Sequence, residues 1–159
     1  KTHHPAIRRV DVESAAQMYE VTSREFANSD VAVLSAAVAD FTPKEKADHK
    51  IKRGKDDLVL ELLPTKDIAA ELGKMKNASQ LLVGFALETN DEEVNALSKM
   101  QRKNLDMIVL NSLNDKGAGF GVDTNKVTIM DKAGNRTVYE LKTKLEVAKD
   151  IVDQIASRL

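Results

Sequence analysis

An apolar run at residues 31–41 constrains the fold more than any other part of the chain. It reads Val-Ala-Val-Leu-Ser-Ala-Ala-Val-Ala-Asp-Phe, and its first charged residue is Asp40. A valine-rich run of this kind is typical of a strand that is buried on both faces of a parallel sheet. Ligands of open α/β sheets bind just beyond the carboxyl ends of such strands. The run therefore predicts a buried central strand that delivers the Asp40 carboxylate to a binding crevice.

A basic segment at residues 41–57 follows this strand and has little periodic apolar content. Its basic residues are Lys44, Lys46, His49, Lys50, Lys52, Arg53 and Lys55. Charge runs are usually solvated surface, but this one is concentrated beside a strand end and predicts a basic flap. A carboxylate next to a cationic flap indicates a phosphorylated ligand. Asp40 has an alternative role, which is to cap the flap by bonding its own backbone.

Strand and helix patterns alternate through most of the chain, which predicts a mostly parallel sheet covered by helices. The predicted strands are residues 6–12, 31–41, 58–63, 81–86 and 105–110, and helical spacing follows at residues 15–26, 67–75 and 92–103. Residues 89–92 have the spacing of a capping box for the third of these helices.

The last third of the chain has a different pattern. Residues 126–130 and 136–141 are extended and are joined by a turn-rich link, which predicts an antiparallel hairpin. A second capping box at residues 143–146 begins a terminal helix. The predicted apolar stripe of that helix is Leu145, Ala148, Ile151, Val152, Ile155 and Leu159. The whole pattern predicts a Rossmann-like three-layer α/β fold with a C-terminal antiparallel hairpin and terminal helix.

The length of 159 residues predicts a single domain over residues 1–159. Doubly wound folds usually carry phosphate-binding glycines in their first strand-to-helix turn, and no glycine precedes Gly54. We therefore expect the domain to lack its N-terminal glycine-rich unit.

Composition excludes several classes of protein. The 24 basic and 25 acidic residues nearly cancel, so no overall field attracts the chain to nucleic acid or to a membrane. The absence of cysteine excludes a disulfide scaffold, a thiol nucleophile and a cysteine zinc site. No apolar run approaches the roughly 20 residues of a membrane span. We expect a cytoplasmic protein without a dedicated metal site.

Three further candidates stay open on the residues alone. Lys99 and Lys103 share one face of a predicted helix, which either faces solvent or lines a phosphate site, and periodicity favours solvent. Phe85 closes a predicted strand and either stacks on a base or belongs to the core. Residues 117–121 resemble a phosphate loop, but they lead into an extended segment rather than a helix, so we interpret them as a flexible loop.

Five motifs in order give the chain a specific resemblance. They are Ser35-Ala36-Ala37-Val38-Ala39-Asp40-Phe41, Lys50-Ile51-Lys52-Arg53, the segment from Val83 to Asn90, the segment from Lys103 to Val109, and Gly119-Phe120. Together they resemble the bacterial, CTP-dependent type of phosphopantothenoylcysteine synthetase, also called phosphopantothenate-cysteine ligase. The resemblance covers essentially the whole chain.

The resemblance implies a specific reaction. In that family a carboxylate of 4'-phosphopantothenate attacks the α-phosphate of CTP and releases pyrophosphate, and cysteine then captures the acyl-cytidylate with loss of CMP. The resemblance implies CTP, Mg²⁺ that needs no protein cage, a homodimer, and a flavin-dependent decarboxylase domain fused upstream in some relatives. The family's N-terminal Ser-Asn and Ser-Ser-Gly-Lys segment does not occur here.

The resemblance also assigns residues. Lys50 becomes the flap lysine at the triphosphate, with Ala36 and Ala37 allowing close approach of the acyl intermediate. Nucleotide contacts are Asp40, Lys50, Lys66, Asp67, Ile68, Ala69, Phe85, Lys99 and Lys103. The family often has Asn-Pro-Asp where this chain has Thr65-Lys66-Asp67. The remaining alternatives are a non-catalytic Rossmann-like assembly module and, less favoured, a nicotinamide-dependent oxidoreductase, for which the Gly-x-Gly-x-x-Gly turn is missing.

Overall fold

The structure is a computed structural model that describes residues 4–53, 57–112, 114 and 121–159. Its helices are α1 (Ala15–Phe26), α2 (Ile68–Met75), α3 (Glu92–Arg102) and α4 (Lys144–Ala156). Its strands are β1 (Val31–Leu34), β2 (Phe41–Pro43), β3 (Leu62–Pro64), β4 (Leu81–Glu88), β5 (Met107–Ser112), β6 (Thr124–Asn125), β7 (Val127–Asp131), β8 (Arg136–Val138) and β9 (Lys142–Thr143).

A five-stranded sheet in the order β1-β4-β5-β7-β8 organises the fold. Strands β1, β4 and β5 are parallel, whereas β7 and β8 continue the sheet antiparallel as a hairpin. Two small antiparallel pairs, β2-β3 and β6-β9, lie outside it. The predicted fold class is confirmed, because a mostly parallel centre carries a C-terminal hairpin and a terminal helix.

Side chains from successive residues of β4 and β5 point to opposite faces of the sheet, which creates two cores. The first core holds residues from β4, β5 and helices α1, α2 and α3, namely Phe26, Ile68, Leu72, Leu82, Ala86, Ala96, Met100, Ile108 and Leu110. The second packs the other face against α4 through Val83, Met107, Val109, Val147, Ile151 and Ile155. The sheet is therefore covered on both faces, which gives the three layers.

Local patterns explain where most helices begin. Ser14 and Thr143 accept hydrogen bonds from Gln17 N and Glu146 N and form capping boxes, so α1 and α4 begin where side chains satisfy free N–H groups. Asp67 caps α2 through a bond from Ala70 N. Gly73 is needed inside α2, since a Cβ there would lie 2.0 Å from the carbonyl oxygen of Lys103.

The predicted central strand is wrong in length and burial. Strand β1 ends at Leu34, and it is an edge strand of the described sheet whose Val33 is 45% exposed. The small apolar residues that follow have left the sheet and line a cleft. An apolar run is therefore compatible with a ligand-facing wall as well as with a doubly buried strand.

Two more predicted strands are wrong in whole or in part. Residues 6–12 form no strand, because they pair with no other described strand, and Ile7 and Val10 are exposed. Only the end of the predicted strand at residues 58–63 is extended and paired, as β3, while residues 58–61 are exposed and irregular. β-branched and leucine-rich composition does not form a strand without a partner edge.

Two predicted helix features also need correction. Helix α3 begins at Glu92 after Asp91, so residues 89–92 form no capping box, and the Glu92 carboxylate instead accepts from Ser112 Oγ at 2.5 Å and Asn114 Nδ2 at 2.9 Å. In α4 the buried stripe is Val147, Ile151 and Ile155. Leu145, Ala148 and Val152 from the predicted stripe are exposed, because they lie beyond the arc of α4 that faces the sheet. Leu159 is also exposed, because α4 ends before it at Ala156.

Strands β2 and β3 form the base of an arm, residues 41–64, of which the structure describes 41–53 and 57–64. The bond from Lys44 N to Glu61 O (2.9 Å) and the ion pair between Lys44 Nζ and Glu61 Oε1 (2.7 Å) extend this base. Apolar side chains are exposed along the arm, namely Phe41, Ile51, Leu58, Val59, Leu60, Leu62 and Leu63. The predicted flap corresponds to the first part of this arm, and its residues 54–56 lie outside the described residues.

A charge cluster ties the amino-terminal ends of β4 and β5 together. Asp106, just before β5, accepts hydrogen bonds from Lys76 Nζ (2.6 Å) and from Leu82 N (2.7 Å), and its other oxygen pairs with Lys132 Nζ at 3.0 Å. The Lys76 side chain is only 7% exposed. The cluster thus joins α2, two strands and the hairpin at a single carboxylate.

No helix in the described ranges is both long and apolar enough to cross a membrane.

Candidate functional site

A cleft of about 860 Å³ lies at the carboxyl ends of the three parallel strands. One wall is the segment at residues 35–40 that follows β1, and a second is the start of α2 at residues 65–69. The end of β4 at residues 84–87 forms the floor, and Asn111 of β5 contributes to the lining. The cleft is therefore at the position where ligands bind in open α/β sheets.

Most of the side chains predicted for the site line this cleft. They are Ala36, Ala37, Asp40, Lys66, Asp67, Ile68, Ala69, Phe85, Lys99 and Lys103. The open choice between solvent and a site for Lys99 and Lys103 is thus answered in favour of the cleft. Phe85 lines the cleft and also packs against the second core, so its predicted packing role is confirmed, whereas stacking on a base stays a prediction. What each residue binds stays a prediction.

Lys50 is the one predicted site residue that the structure does not bring to the cleft. It lies on the arm, is exposed, and is not among the residues that line the cleft. The motif Gly119-Phe120 and residues 117–120 of the glycine loop lie outside the described residues, and only Gly121 of that loop is described, with φ of +75°.

Two hydrogen bonds hold the first two walls of the cleft together. Thr65 N donates to Asp40 O at 2.8 Å, and Thr65 Oγ1 donates to Ala39 O at 2.6 Å. The Asp40 side chain remains exposed and lines the cleft. The backbone of Asp40 is therefore fixed by the neighbouring wall, while its carboxylate is accessible to a ligand.

Two of the cleft lysines are paired with carboxylates. Lys103 Nζ lies 2.9 Å from Asp67 Oδ1 and 2.8 Å from Oδ2, and Lys99 Nζ lies 3.6 Å from Glu88 Oε1. Burial raises the pKa of Asp67, but the Lys103 bond and the bond from Ala70 N outweigh it, so the pKa lies below its usual value. An anionic ligand that binds these lysines has to compete with their own carboxylates.

Several residues that line the cleft are not predicted from the sequence. Asn111, Asn125 and Lys144 line it, and Asn125 Nδ2 donates to Asn111 Oδ1 at 3.1 Å. Asn111 lies near the end of a buried strand, so the rule that identified Asp40 could have identified it as well. Asn125 and Lys144 come from β6 and the start of α4, and no local signal connects them to the cleft.

The structure offers no protein cage for a metal ion within the ranges it describes. No group of three or more histidine, cysteine, aspartate or glutamate side chains there could hold one. The residues at the cleft instead fit a magnesium ion that is carried by phosphates, because Mg²⁺ is commonly held by substrate phosphates and one or two carboxylates. Asp40 and Asp67 are the two exposed carboxylates that line the cleft, and Asp67 is paired with Lys103.

Comparison with known proteins gives consistent matches. The family described as "DNA/pantothenate metabolism flavoprotein C-terminal domain" matches residues 1–159. The chain is 62% identical over 149 residues to a protein of an unknown prokaryotic organism named cysteine/cysteine sulfinic acid decarboxylase, covering 94% of the chain and 42% of the relative. It is 47% identical over 148 residues to the coenzyme A biosynthesis bifunctional protein CoaBC of Bacillus subtilis (strain 168), covering 93% of the chain and 36% of the relative.

A solved structure matches as well. The crystal structure of the C-terminal domain of the coenzyme A biosynthesis bifunctional protein CoaBC has a TM-score of 0.74 and 40% identity, covering 92% of this chain and 63% of that one. The chain spans less than half the length of the two curated relatives. Since the family match extends over every residue, the chain belongs to the family of the DNA/pantothenate metabolism flavoprotein C-terminal domain.

Proposed function

We propose that the chain is the nucleotide-binding part of a ligase that activates 4'-phosphopantothenate with CTP and couples it to cysteine in coenzyme A biosynthesis. The observation that carries the proposal is the cleft at the sheet edge, where Asp40, Phe85 and several lysines meet. The similarity to the CoaBC protein of Bacillus subtilis supports the assignment to coenzyme A biosynthesis. The proposal implies a cytoplasmic location, because the reaction consumes a nucleoside triphosphate.

The proposed chemistry has two steps. The substrate carboxylate attacks the α-phosphate of CTP, a bond to pyrophosphate breaks, and an acyl-cytidylate forms. The amine of cysteine then attacks the acyl carbon, loses a proton, and releases CMP as the amide forms. Phosphoryl chemistry of this kind depends mainly on positioning and on neutralising charge.

The residues of the cleft fit these requirements. Lys99 and Lys103 would bind phosphate oxygens, Asp40 would contact the nucleotide, and Phe85 would lie against the base. The absence of side chains beyond Cβ at Ala36 and Ala37 would allow the acyl intermediate to approach the wall. Mg²⁺ would enter on the triphosphate and neutralise its charge. Lys50 can act only if the arm brings it over the cleft.

Titration calorimetry tests the nucleotide assignment. We expect saturable binding of CTP in Mg²⁺ buffer, with an affinity about tenfold higher than that for ATP, which corresponds to about 1.4 kcal/mol. Asp40→Asn should weaken CTP binding, because it removes a charged acceptor from the cleft. The matched control is Asp153→Asn, an exposed position on α4 that does not line the cleft.

The absence of saturable binding of either nucleotide would contradict the proposal and favour the non-catalytic assembly module. Equal affinities for CTP and ATP would contradict only the choice of base.

We also propose that the protein acts as a homodimer, within a longer polypeptide that includes a decarboxylase domain. The names of the two curated relatives, one a decarboxylase and one a bifunctional protein, support the fusion. The exposed apolar side chains of the arm support the dimer, since Val59 is 86% and Leu60 60% exposed. Contiguous apolar surface of this kind commonly marks a protein interface.

Light scattering coupled to size exclusion tests the dimer. We expect a dimer of the wild-type chain at micromolar concentration and a monomer of the variant Val59→Asp/Leu60→Asp, because buried unpaired carboxylates oppose association. Val152→Asp on α4 is the control, since it charges an equally apolar exposed position away from the arm. A wild-type monomer, or dissociation caused by Val152→Asp alone, would refute an interface on the arm.

A further inference from the structure

Lys66 differs from the other cleft lysines in what holds it. Its Nζ lies 4.2 Å from the centroid of the Tyr19 ring, well inside the roughly 6 Å range of a cation–π contact. Tyr19 belongs to α1 and packs against the first core, so the ring is anchored. Lys66 itself is exposed and lines the cleft. A rigid ring therefore holds a flexible side chain at the wall of the cleft.

The group that contacts a lysine ammonium, a carboxylate or an aromatic ring, determines whether its positive charge is offset before a ligand binds. Lys99 and Lys103 lie beside Glu88 and Asp67, whose carboxylates offset their positive charge. No described carboxylate lies within ion-pair distance of Lys66. An aromatic face orients an ammonium group without neutralising it. Lys66 is thus positioned and keeps its full charge available before any ligand binds.

We infer that Tyr19 is a positioning residue that holds the Lys66 ammonium as a preformed binding point for the terminal phosphates of a polyphosphate ligand. The identification of that ligand as a nucleoside triphosphate rests on the proposed function. Preorganisation matters because a free lysine side chain loses rotamer freedom when it is fixed in one geometry. The ring removes part of this cost before the ligand arrives.

Lys66 shares the cleft with a second lysine, Lys103. Lys66 directly precedes Asp67, the cap of α2 and the partner of Lys103. We expect a polyphosphate in this cleft to contact both lysines: Lys66 has no described carboxylate partner, whereas Lys103 must exchange Asp67 for the ligand.

Calorimetry with two titrants tests the inference, namely CTP with Mg²⁺ and inorganic tripolyphosphate. We expect Lys66→Met to weaken both about tenfold and Tyr19→Leu to weaken both about three- to tenfold. Tyr19→Phe keeps the aromatic face and should bind within about twofold of wild type. The affinity of Lys66→Met should also depend less steeply on salt, because one screened charge is gone.

The chain offers a matched control pair outside the cleft. Lys142 Nζ lies 5.2 Å from the Tyr139 ring centroid, and neither residue lines the cleft. Lys142→Met and Tyr139→Leu therefore remove the same chemical groups without touching the proposed site. We expect both to bind the two titrants as wild type does.

An NMR measurement examines the contact itself. The ε-methylene protons of Lys66 should be shifted upfield by the ring current, and the shift should vanish in Tyr19→Leu and persist in Tyr19→Phe. A role in packing alone would give these shifts without any change in phosphate affinity.

The outcomes separate this inference from the proposed function. If the wild-type chain binds CTP but Lys66→Met and Tyr19→Leu bind it equally well, the inference is overturned and the proposed function stands. If the chain binds tripolyphosphate but not CTP, and the two variants weaken that binding, the inference stands and the nucleotide assignment fails. If the wild-type chain binds neither titrant, both are overturned.

Discussion

We expect the replacement of Lys99 and Lys103 together by methionine to lower the proposed affinity for CTP about a hundredfold in titration calorimetry. Each lysine would supply a charge-assisted contact to a phosphate oxygen, and two such contacts at about 1.4 kcal/mol each give this factor. Methionine retains much of the aliphatic side chain, so the wall of the cleft keeps most of its packing. The expected change is therefore one of charge at the cleft.

A second double variant controls for overall charge. Lys74→Met/Lys149→Met also removes two positive charges, one from α2 and one from α4, at exposed positions that do not line the cleft. We expect its affinity for CTP to equal that of wild type at physiological salt, because distant exposed charges are largely screened. An equal loss in both double variants would contradict the assignment and indicate a general electrostatic effect.

Asp106→Ala has the largest expected effect on stability, a loss of about 3 kcal/mol in the free energy of unfolding. It removes the partner of Lys76 Nζ (2.6 Å), of Lys132 Nζ (3.0 Å) and of Leu82 N (2.7 Å). The Lys76 side chain is 7% exposed, so its ammonium would keep only the carbonyl oxygen of Asn104 at 2.9 Å. A buried charge without a partner is costly. Because the Asp106 side chain is 19% exposed, we expect a loss at the lower end of the range of about 3–5 kcal/mol for breaking a buried ion pair.

Urea unfolding monitored by circular dichroism measures this effect. Glu71→Ala is the control, because it removes an exposed pair with Lys74 and should leave the unfolding midpoint unchanged. If Asp106→Ala and Glu71→Ala unfold at the same urea concentration, the cluster around Asp106 does not stabilise the fold.

The pH dependence of the same measurement gives an independent test. Burial raises the pKa of Asp106, but the bonds from Lys76, Leu82 and Lys132 outweigh it, and the pKa lies below its usual value. A lowered folded-state pKa means that the stabilisation is fully present above the unfolded value, about 4, and is lost as pH falls below it. The difference in unfolding free energy between wild type and Asp106→Ala should therefore shrink below about pH 4. A difference that stays constant down to low pH would contradict the lowered pKa.

One capping box and one turn-rich link correctly predicted a helix start and a hairpin, because each signal involves residues within four positions of one another. Thr143 caps α4 as its predicted capping box requires, and the predicted hairpin turn at residues 131–135 joins β7 and β8, whereas the capping box predicted at residues 89–92 does not form. Strand β4 is two residues longer than predicted and lies between β1 and β5 in the described sheet. The expected three-layer α/β fold follows from these local patterns.

The site was predicted through strand ends and ordered motifs rather than through contacts. Asp40 and Phe85 were expected at the carboxyl ends of strands and do line the cleft. Periodicity alone favoured a solvent-facing position for Lys99 and Lys103, and only the motif resemblance placed them in a phosphate site. Periodicity does not predict this position of Lys103, because it depends on the ion pair with Asp67 at the start of α2, which holds the Lys103 ammonium at the cleft.

The sequence by itself determined the elements with local caps and turns, the fold class, and the family through five motifs in order. Only the tertiary structure decided which apolar residues are buried, since Val33 on β1 and Leu145 on α4 are exposed where nothing described packs on them. It also decided the contact between Lys66 and Tyr19, which joins α1 to the wall of the cleft. The physical reason is range: caps and turns depend on neighbouring residues, whereas burial and ring contacts depend on what distant segments bring to the same place.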